Sequence, residues 1–119
     1  MKFYAPHSRS FDFEKEWYAP LRELGLETGH EFVFPHEKSS VAENSKEAMK
    51  VFDGIIAEVL FPSTGMGIEL GWADMLGKPI ILVYRVGAEV SPSVLGLTDR
   101  VVRYTDIDEL KMGLSQQLL

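Results

Sequence analysis

Residues 62–71 combine hydroxyl, glycine and carboxylate side chains between an apolar run and a helical pattern. Ser63 and Thr64 supply hydroxyls, and Gly65 and Gly67 allow a tight turn and close backbone approach to a ligand. A helix that begins here adds free N–H groups and the positive end of its dipole. The stretch therefore predicts an anion-binding loop. It is not a Walker A loop, because no Gly-Lys-Ser/Thr follows.

Glu69 is the carboxylate of this stretch and is expected in the first turn of the following helix. One interpretation is a surface carboxylate that stabilises the helix dipole. The other is a carboxylate that helix N–H groups keep ionised, so that it can act as a nucleophile. Its place beside the predicted ligand-binding loops favours the second interpretation.

Short apolar runs alternate with helical stretches, which is typical of a parallel α/β sheet. Strands are predicted at residues 2–5, 31–34, 54–60, 79–84 and 100–104. Helices are predicted at residues 11–24, 42–52, 67–76 and from 105 onward. The local signals for helix ends are Ser10 as an N-cap, Pro20 as a break, Gly25 as a stop, and Thr105 with Asp108 as a capping-box pair.

Together these elements predict one flavodoxin-like, Rossmann-like domain over residues 1–119: a doubly wound five-stranded parallel sheet in the order 2-1-3-4-5 with helices on both faces. In that order the first and third strands are neighbours, and ligands bind beyond their carboxyl ends. The loop of residues 6–10 should therefore meet residues 61–67. Within it, His7 either contacts a phosphate or base, or is an ordinary loop histidine.

Glu58 stands inside the third predicted strand, where a carboxylate is unfavourable unless it is paired. Two placements are open for it. The side chain reaches a hydroxyl or backbone donor near the site, or it faces outward near the end of the sheet.

Composition excludes several classes of function. The 119 residues carry 12 Lys and Arg against 18 Asp and Glu, a net charge of −6, which disfavours a nucleic-acid partner. Cysteine is absent and the three His are widely spaced, so no disulfide, thiol nucleophile or metal site is expected. No apolar run is long enough for a membrane span and no signal peptide is visible, so the expected location is cytoplasmic.

The run Asp53-Gly-Ile-Ile-Ala-Glu-Val-Leu-Phe-Pro-Ser-Thr-Gly-Met-Gly-Ile-Glu-Leu-Gly-Trp-Ala73, with Gly77-Lys78-Pro79-Ile80 after it, resembles the nucleoside 2-deoxyribosyltransferase family. It is most similar to the 2'-deoxynucleoside 5'-phosphate N-hydrolase branch, which has the string A-E-V…P-S-x-G-x-G-x-E-L-G-x-A. The resemblance implies a flavodoxin-like fold, attack at the anomeric carbon of a nucleoside or nucleotide, no cofactor and an obligate homodimer.

The resemblance also implies roles for individual residues. Glu69 falls on the family's nucleophilic glutamate, and Ser63 on a serine that the hydrolase branch uses for the 5'-phosphate. Ser93 falls on a second phosphate-binding serine, which reaches into the neighbouring subunit's site. Arg9 lies where that branch has an arginine in its substrate loop.

Two positions depart from the family pattern. Where the family has an assisting aspartate on the second helix, this chain has Ser45. Where the family has a tyrosine early in the first strand, it has Phe3, with Tyr4 beside it and expected to point to the opposite face of the sheet. Ser45, Phe3 and Tyr4 are therefore candidate assisting residues.

Three functions stay open. The first is an N-glycosidase that cleaves (2'-deoxy)nucleoside 5'-monophosphates, and it is the one predicted because Ser63, Ser93 and Arg9 suit a phosphate. The second is a transferase that exchanges bases between nucleosides by the same covalent chemistry. The third is a catalytically silent nucleotide-binding module, which Ser45 in place of the aspartate motivates.

Overall fold

Five parallel strands form the sheet, and the computed structural model describes them within residues 1–35 and 46–118. The strands are β1 (Lys2–Tyr4), β2 (Glu31–Val33), β3 (Gly54–Glu58), β4 (Ile80–Arg85) and β5 (Val101–Tyr104). Their order is β2-β1-β3-β4-β5 and every neighbouring pair is parallel, which confirms the predicted sheet. The central strands β3 and β4 are buried on both faces, which explains their nearly continuous apolar runs.

Helices cover both faces of this sheet. A π-helical segment (Glu14–Tyr18) runs directly into α1 (Ala19–Thr28), and it is followed by α2 (Lys46–Met49), α3 (Thr64–Met75), α4 (Pro92–Leu95) and α5 (Ile107–Gln117). No helix in the two described ranges is long and apolar enough to cross a membrane.

The sheet separates two apolar clusters, because successive strand residues point to opposite faces. Phe3 and Ile56 lie in the cluster under α1 and α5. Tyr4 and Ile55 lie in the cluster under α2 and α3. We call these two sides the α1/α5 face and the α2/α3 face.

The first helical stretch differs from its prediction at both ends. Ser10 does not cap it, since the helix cap is Phe13 and the π-helical turns begin at Glu14. Gly25 does not end it, because the left-handed residue that closes α1 is Gly29, with φ 80°. The predicted break at Pro20 takes the form of the junction between the π-helical and α-helical turns, where a proline without an N–H is tolerated.

Two further helix ends also differ. The N-cap of α5 is Asp106, not Thr105, and its side chain accepts a hydrogen bond from Glu109 N–H at 2.8 Å. The Glu109 carboxylate accepts from the N–H of Thr105, the residue before the N-cap, so Asp106 and Glu109 take the place of the predicted pair of Thr105 and Asp108. Of the helix predicted at 42–52, residues 42–45 lie outside the described residues, and α2 covers Lys46–Met49. The short α4 was not predicted.

Candidate active site

A pocket of about 290 Å³ lies where the loop after β1 meets the start of α3. This is the carboxyl end of the neighbouring strands β1 and β3, so the predicted meeting of the two loops is confirmed. The lining residues are His7, Arg9, Pro35, Ser63, Gly65, Met66, Ile68, Glu69 and Trp72.

Ser63 sets where α3 begins. Its backbone is extended (φ −149°, ψ 122°), and its Oγ accepts a hydrogen bond from Met66 N–H at 3.4 Å as an N-cap. The helix therefore begins at Thr64, three residues earlier than predicted, which places Glu69 in the second turn and not in the first. The Ser63 hydroxyl can still donate its own proton into the pocket.

Gly65 and Gly67 lie within the first turn of α3, so they belong to the helix and not to a loop. A Cβ added at either glycine would meet no protein atom within 4 Å. Gly65 lines the pocket, whereas Gly67 lines a smaller neighbouring cavity between α3 and α4. The open space over this turn leaves room for a ligand beside the helix N-terminus.

Glu69 joins α3 to the first strand. It is only 7% exposed, and its Oε2 accepts a hydrogen bond from the Tyr4 hydroxyl at 2.5 Å. Burial raises the pKa of Glu69 above its ordinary value, and the hydrogen bond from Tyr4 opposes that rise by favouring the charged form. The arrangement presents a buried carboxylate, held by one phenol, at the wall of a pocket.

The position of Phe3 corrects one expectation. Phe3 lies on the α1/α5 face, against the rings of Phe32 and His30, and does not reach the pocket. Tyr4 does point to the opposite face, as predicted, and that face carries α3. The tyrosine next to Glu69 is therefore Tyr4, because strand alternation and not residue type decides which neighbour faces the helix.

His7 is a buried residue of the pocket wall. Its Nδ1 lies 2.6 Å from the Ser8 carbonyl oxygen and its Nε2 lies 2.7 Å from the Tyr18 hydroxyl. Its ring also stacks on Phe13 with centroids 4.4 Å apart. Both ring nitrogens are thus engaged within the protein.

Of the remaining predicted site residues that the structure describes, only Arg9 lines the pocket. Arg9 is exposed and lines the pocket. Ser93 is exposed on α4 and is not among the residues that line it. Ser45 lies outside the described residues. Within residues 1–35 and 46–118, no group of three His, Asp or Glu side chains is placed to hold a metal ion.

Sequence reasoning missed two supports of the site. Tyr18 reaches His7 from the π-helical segment, and Pro35 closes the pocket after β2. The Tyr18 contact joins residues 11 apart in sequence through a π-helical turn, and no motif signals it. For Pro35, the only signal was its place directly after a predicted strand, at the same sheet edge as the pocket.

Comparisons with known proteins give relatives in sequence and in structure. No protein-family model matches the chain. It is 38% identical over 74 residues to a protein of Thermofilum pendens named "Putative 2'-deoxynucleoside 5'-phosphate N-hydrolase 1". The aligned region covers 58% of this chain and 52% of that protein. It is 36% identical over 83 residues to the 5-hydroxymethyl-dUMP N-hydrolase of Rattus norvegicus. That aligned region covers 68% of this chain and 47% of the relative.

The chain spans about half the length of these curated relatives. Among solved structures, the CMP N-glycosidase of Clostridium botulinum superposes with a TM-score of 0.75 at 23% identity, over 97% of this chain and 99% of that chain. The sequence matches confirm the resemblance to deoxynucleoside 5'-phosphate N-hydrolases, and the structural match confirms the fold.

Proposed function

We propose that this protein is an N-glycosidase of (2'-deoxy)nucleoside 5'-monophosphates, with Glu69 as the nucleophile. The observation that carries the proposal is the buried Glu69 carboxylate, which accepts a hydrogen bond from Tyr4 at the wall of a pocket. Similarity to proteins named as nucleotide N-hydrolases supports the same reaction class.

The reaction has two steps. A carboxylate oxygen of Glu69 attacks the anomeric carbon, the bond from that carbon to the base nitrogen breaks, and the base leaves with the bonding electrons. Water then attacks the same carbon and releases Glu69. The base gains one proton and the water loses one, so the products are the free base and the sugar 5-phosphate. Tyr4 steadies the carboxylate in the form that attacks.

The 5'-phosphate would lie at the start of α3. Three kinds of donor support this placement: the Ser63 hydroxyl, the backbone N–H groups of the first helical turn, and Arg9, which lines the same pocket. Because the chain has a net charge of −6, a dianionic group needs such local donors against an unfavourable overall field. A free nucleoside would leave them unused.

We also propose a homodimer in which Ser93 serves the partner's pocket. Ser93 is exposed on α4 and does not line the pocket of its own chain, which is what a residue that acts across an interface requires. On α3, Ile68 and Met75 are 50% and 87% exposed, and apolar side chains of this kind favour a contact between copies.

A single domain and a cytoplasmic location remain predictions.

Chromatography of released base tests the proposal. The purified protein is incubated with each 5'-monophosphate, deoxy and ribo, and with the matching nucleosides, with and without an acceptor base. Glu69→Gln is the test variant, and Asp74→Asn is the matched control, because it makes the same chemical change at an exposed position of the same helix.

Base release from monophosphates that survives Asp74→Asn and vanishes in Glu69→Gln is the expected result. Exchange that requires an acceptor base would replace the hydrolase with a transferase. Nucleotide binding with no base release under any condition would leave a catalytically silent binding module.

A further inference from the structure

Glu58 is a buried carboxylate that the proposed reaction does not use. It is the last residue of β3, only 1% exposed, and it lies on the α1/α5 face, on the other side of the sheet from Glu69. Its Oε1 accepts a hydrogen bond from Leu60 N–H at 2.8 Å, and its Oε2 accepts one from the Tyr104 hydroxyl at 2.7 Å. The placement near donors, one of the two left open by the sequence, is therefore the observed one.

The backbone of Glu58 adds a second connection. Its N–H donates to the Pro6 carbonyl oxygen at 3.0 Å, and a parallel bridge pairs it with His7. One residue thus joins the loop that carries His7 and Arg9 to the connection that leads from Leu60 to Ser63. These are the two segments that meet at the pocket.

Charged and titratable groups from four further segments contact Glu58 or are linked to it through Tyr104. Tyr104 comes from β5, and the guanidinium of Arg85, at the end of β4, lies 5.5 Å from the Tyr104 ring centroid. Arg85 in turn pairs with Glu16 of the π-helical segment at 2.5 Å. The backbone of His7, in the loop after β1, pairs with the backbone of Glu58. The carboxylate is therefore part of a network that links β3, β4, β5 and the π-helical segment.

Stability alone is a poor reason for a carboxylate here. Desolvation raises the pKa of Glu58 to about 7, although Tyr104, Leu60 and Arg85 all act to lower it. Replacement of buried charged groups by well-packed apolar side chains is often neutral or stabilising. What an apolar side chain cannot do is accept the Leu60 N–H hydrogen bond.

We propose that Glu58 is a positioning residue, whose carboxylate holds the connection from β3 to α3 so that Ser63 and the first turn of α3 face the loop after β1. It acts on the substrate only through the hydrogen bond that it accepts from Leu60 N–H. Its effect falls on the affinity for the phosphate more than on the rate of the chemical step. The inference rests on the proposed function, because it assigns the phosphate to Ser63.

The test compares three variants. Glu58→Leu removes both acceptors, Glu58→Gln keeps a carbonyl oxygen for Leu60 N–H, and Tyr104→Phe removes one partner of the carboxylate and leaves Leu60 untouched. Two measurements are made on each. The first is KM and kcat with dAMP, dCMP, dGMP and dTMP. The second is hydrogen exchange of the amides of residues 60–66, which needs no substrate.

Glu58→Leu is expected to raise KM at least about tenfold with kcat within about threefold, and to accelerate exchange at residues 60–66 about tenfold or more. In Glu58→Gln, KM and the exchange rates of residues 60–66 should stay within about threefold of the wild type. Tyr104→Phe should give an intermediate change of about twofold to fivefold. A Glu58→Leu protein with a lower Tm but wild-type KM and exchange would overturn the proposal.

The two proposals fail in different ways. If the wild type releases no base from any monophosphate, the proposed function falls, and hydrogen exchange still decides the role of Glu58. Unchanged exchange in Glu58→Leu then rejects that role. If Glu58→Leu does not fold, wild-type KM and exchange in Tyr104→Phe reject it instead.

Discussion

Glu69 and Glu58 are two buried carboxylates on opposite faces of one sheet. Each accepts a hydrogen bond from a strand tyrosine, Tyr4 in one case and Tyr104 in the other, and burial raises the pKa of both. They differ in what lies beyond the tyrosine, because Glu69 borders a pocket whereas Glu58 is enclosed by Leu60 and other protein groups. A raised pKa therefore does not by itself distinguish a candidate nucleophile, and access to a pocket is what separates Glu69 from Glu58.

The largest expected difference is in catalysis. Glu69→Gln should lower the rate of base release by at least about a thousandfold, because an amide cannot form the glycosyl intermediate. Glu58→Gln should stay within about threefold of the wild type. Single-turnover assays of both variants, with circular dichroism to verify folding, measure this. Equal losses in the two variants would remove the distinction between the two faces.

The next effect is on stability and its pH dependence. Because the pKa of Glu58 is raised from 4.5 to about 7, its contribution to stability is fully present below pH 4.5 and is lost as pH rises through 7. Glu58→Gln cannot ionise, so relative to the wild type it should gain about 3 kcal/mol between pH 4.5 and pH 8. Urea unfolding of both proteins across this range tests the gain. A constant difference would mean that Glu58 does not titrate there.

A smaller effect should separate the two tyrosines. Tyr4→Phe removes the hydrogen bond that lowers the pKa of Glu69, so the acidic limb of the pH–rate profile should move to higher pH. We expect a loss of about tenfold in kcat at pH 5 and a smaller loss at pH 8. Tyr104→Phe makes the same chemical change on the other face and should leave the acidic limb in place. A shift in both variants would contradict separate roles.

The smallest expected effect on stability concerns the ion pair of Arg85 and Glu16, which is linked to Glu58 through Tyr104. The Arg85 and Glu16 side chains are 36% and 29% exposed, so solvent screens their ion pair. Arg85→Gln should cost less than about 1 kcal/mol of unfolding free energy. It should also raise the pKa of Glu58 further, because Arg85 lowers it. Carbon-13 NMR titration of the Glu58 carboxyl carbon follows that shift, and a downward shift would contradict the arrangement.

The order of the sheet could be predicted because it depends on local features. The apolar runs of β3 and β4 are nearly continuous, as expected of strands buried on both faces, and short helical connections restrict parallel strands to few topologies. The meeting of the loop after β1 with α3 followed from that order. Helix ends were less predictable, because Ser63, Gly29 and Asp106 compete with equally plausible neighbouring caps.

The sequence by itself determined the parallel α/β sheet and the stretch from Ser63 to Glu69 beside its carboxyl edge, since both depend on residue patterns within a few positions of each other. Tertiary structure alone decided that Tyr4 and not Phe3 faces Glu69, and that Glu58 meets Tyr104 46 residues away. Both choices depend on which face of the sheet a given helix covers. Residue types along a strand do not carry that information, because a fully buried strand is apolar on both faces.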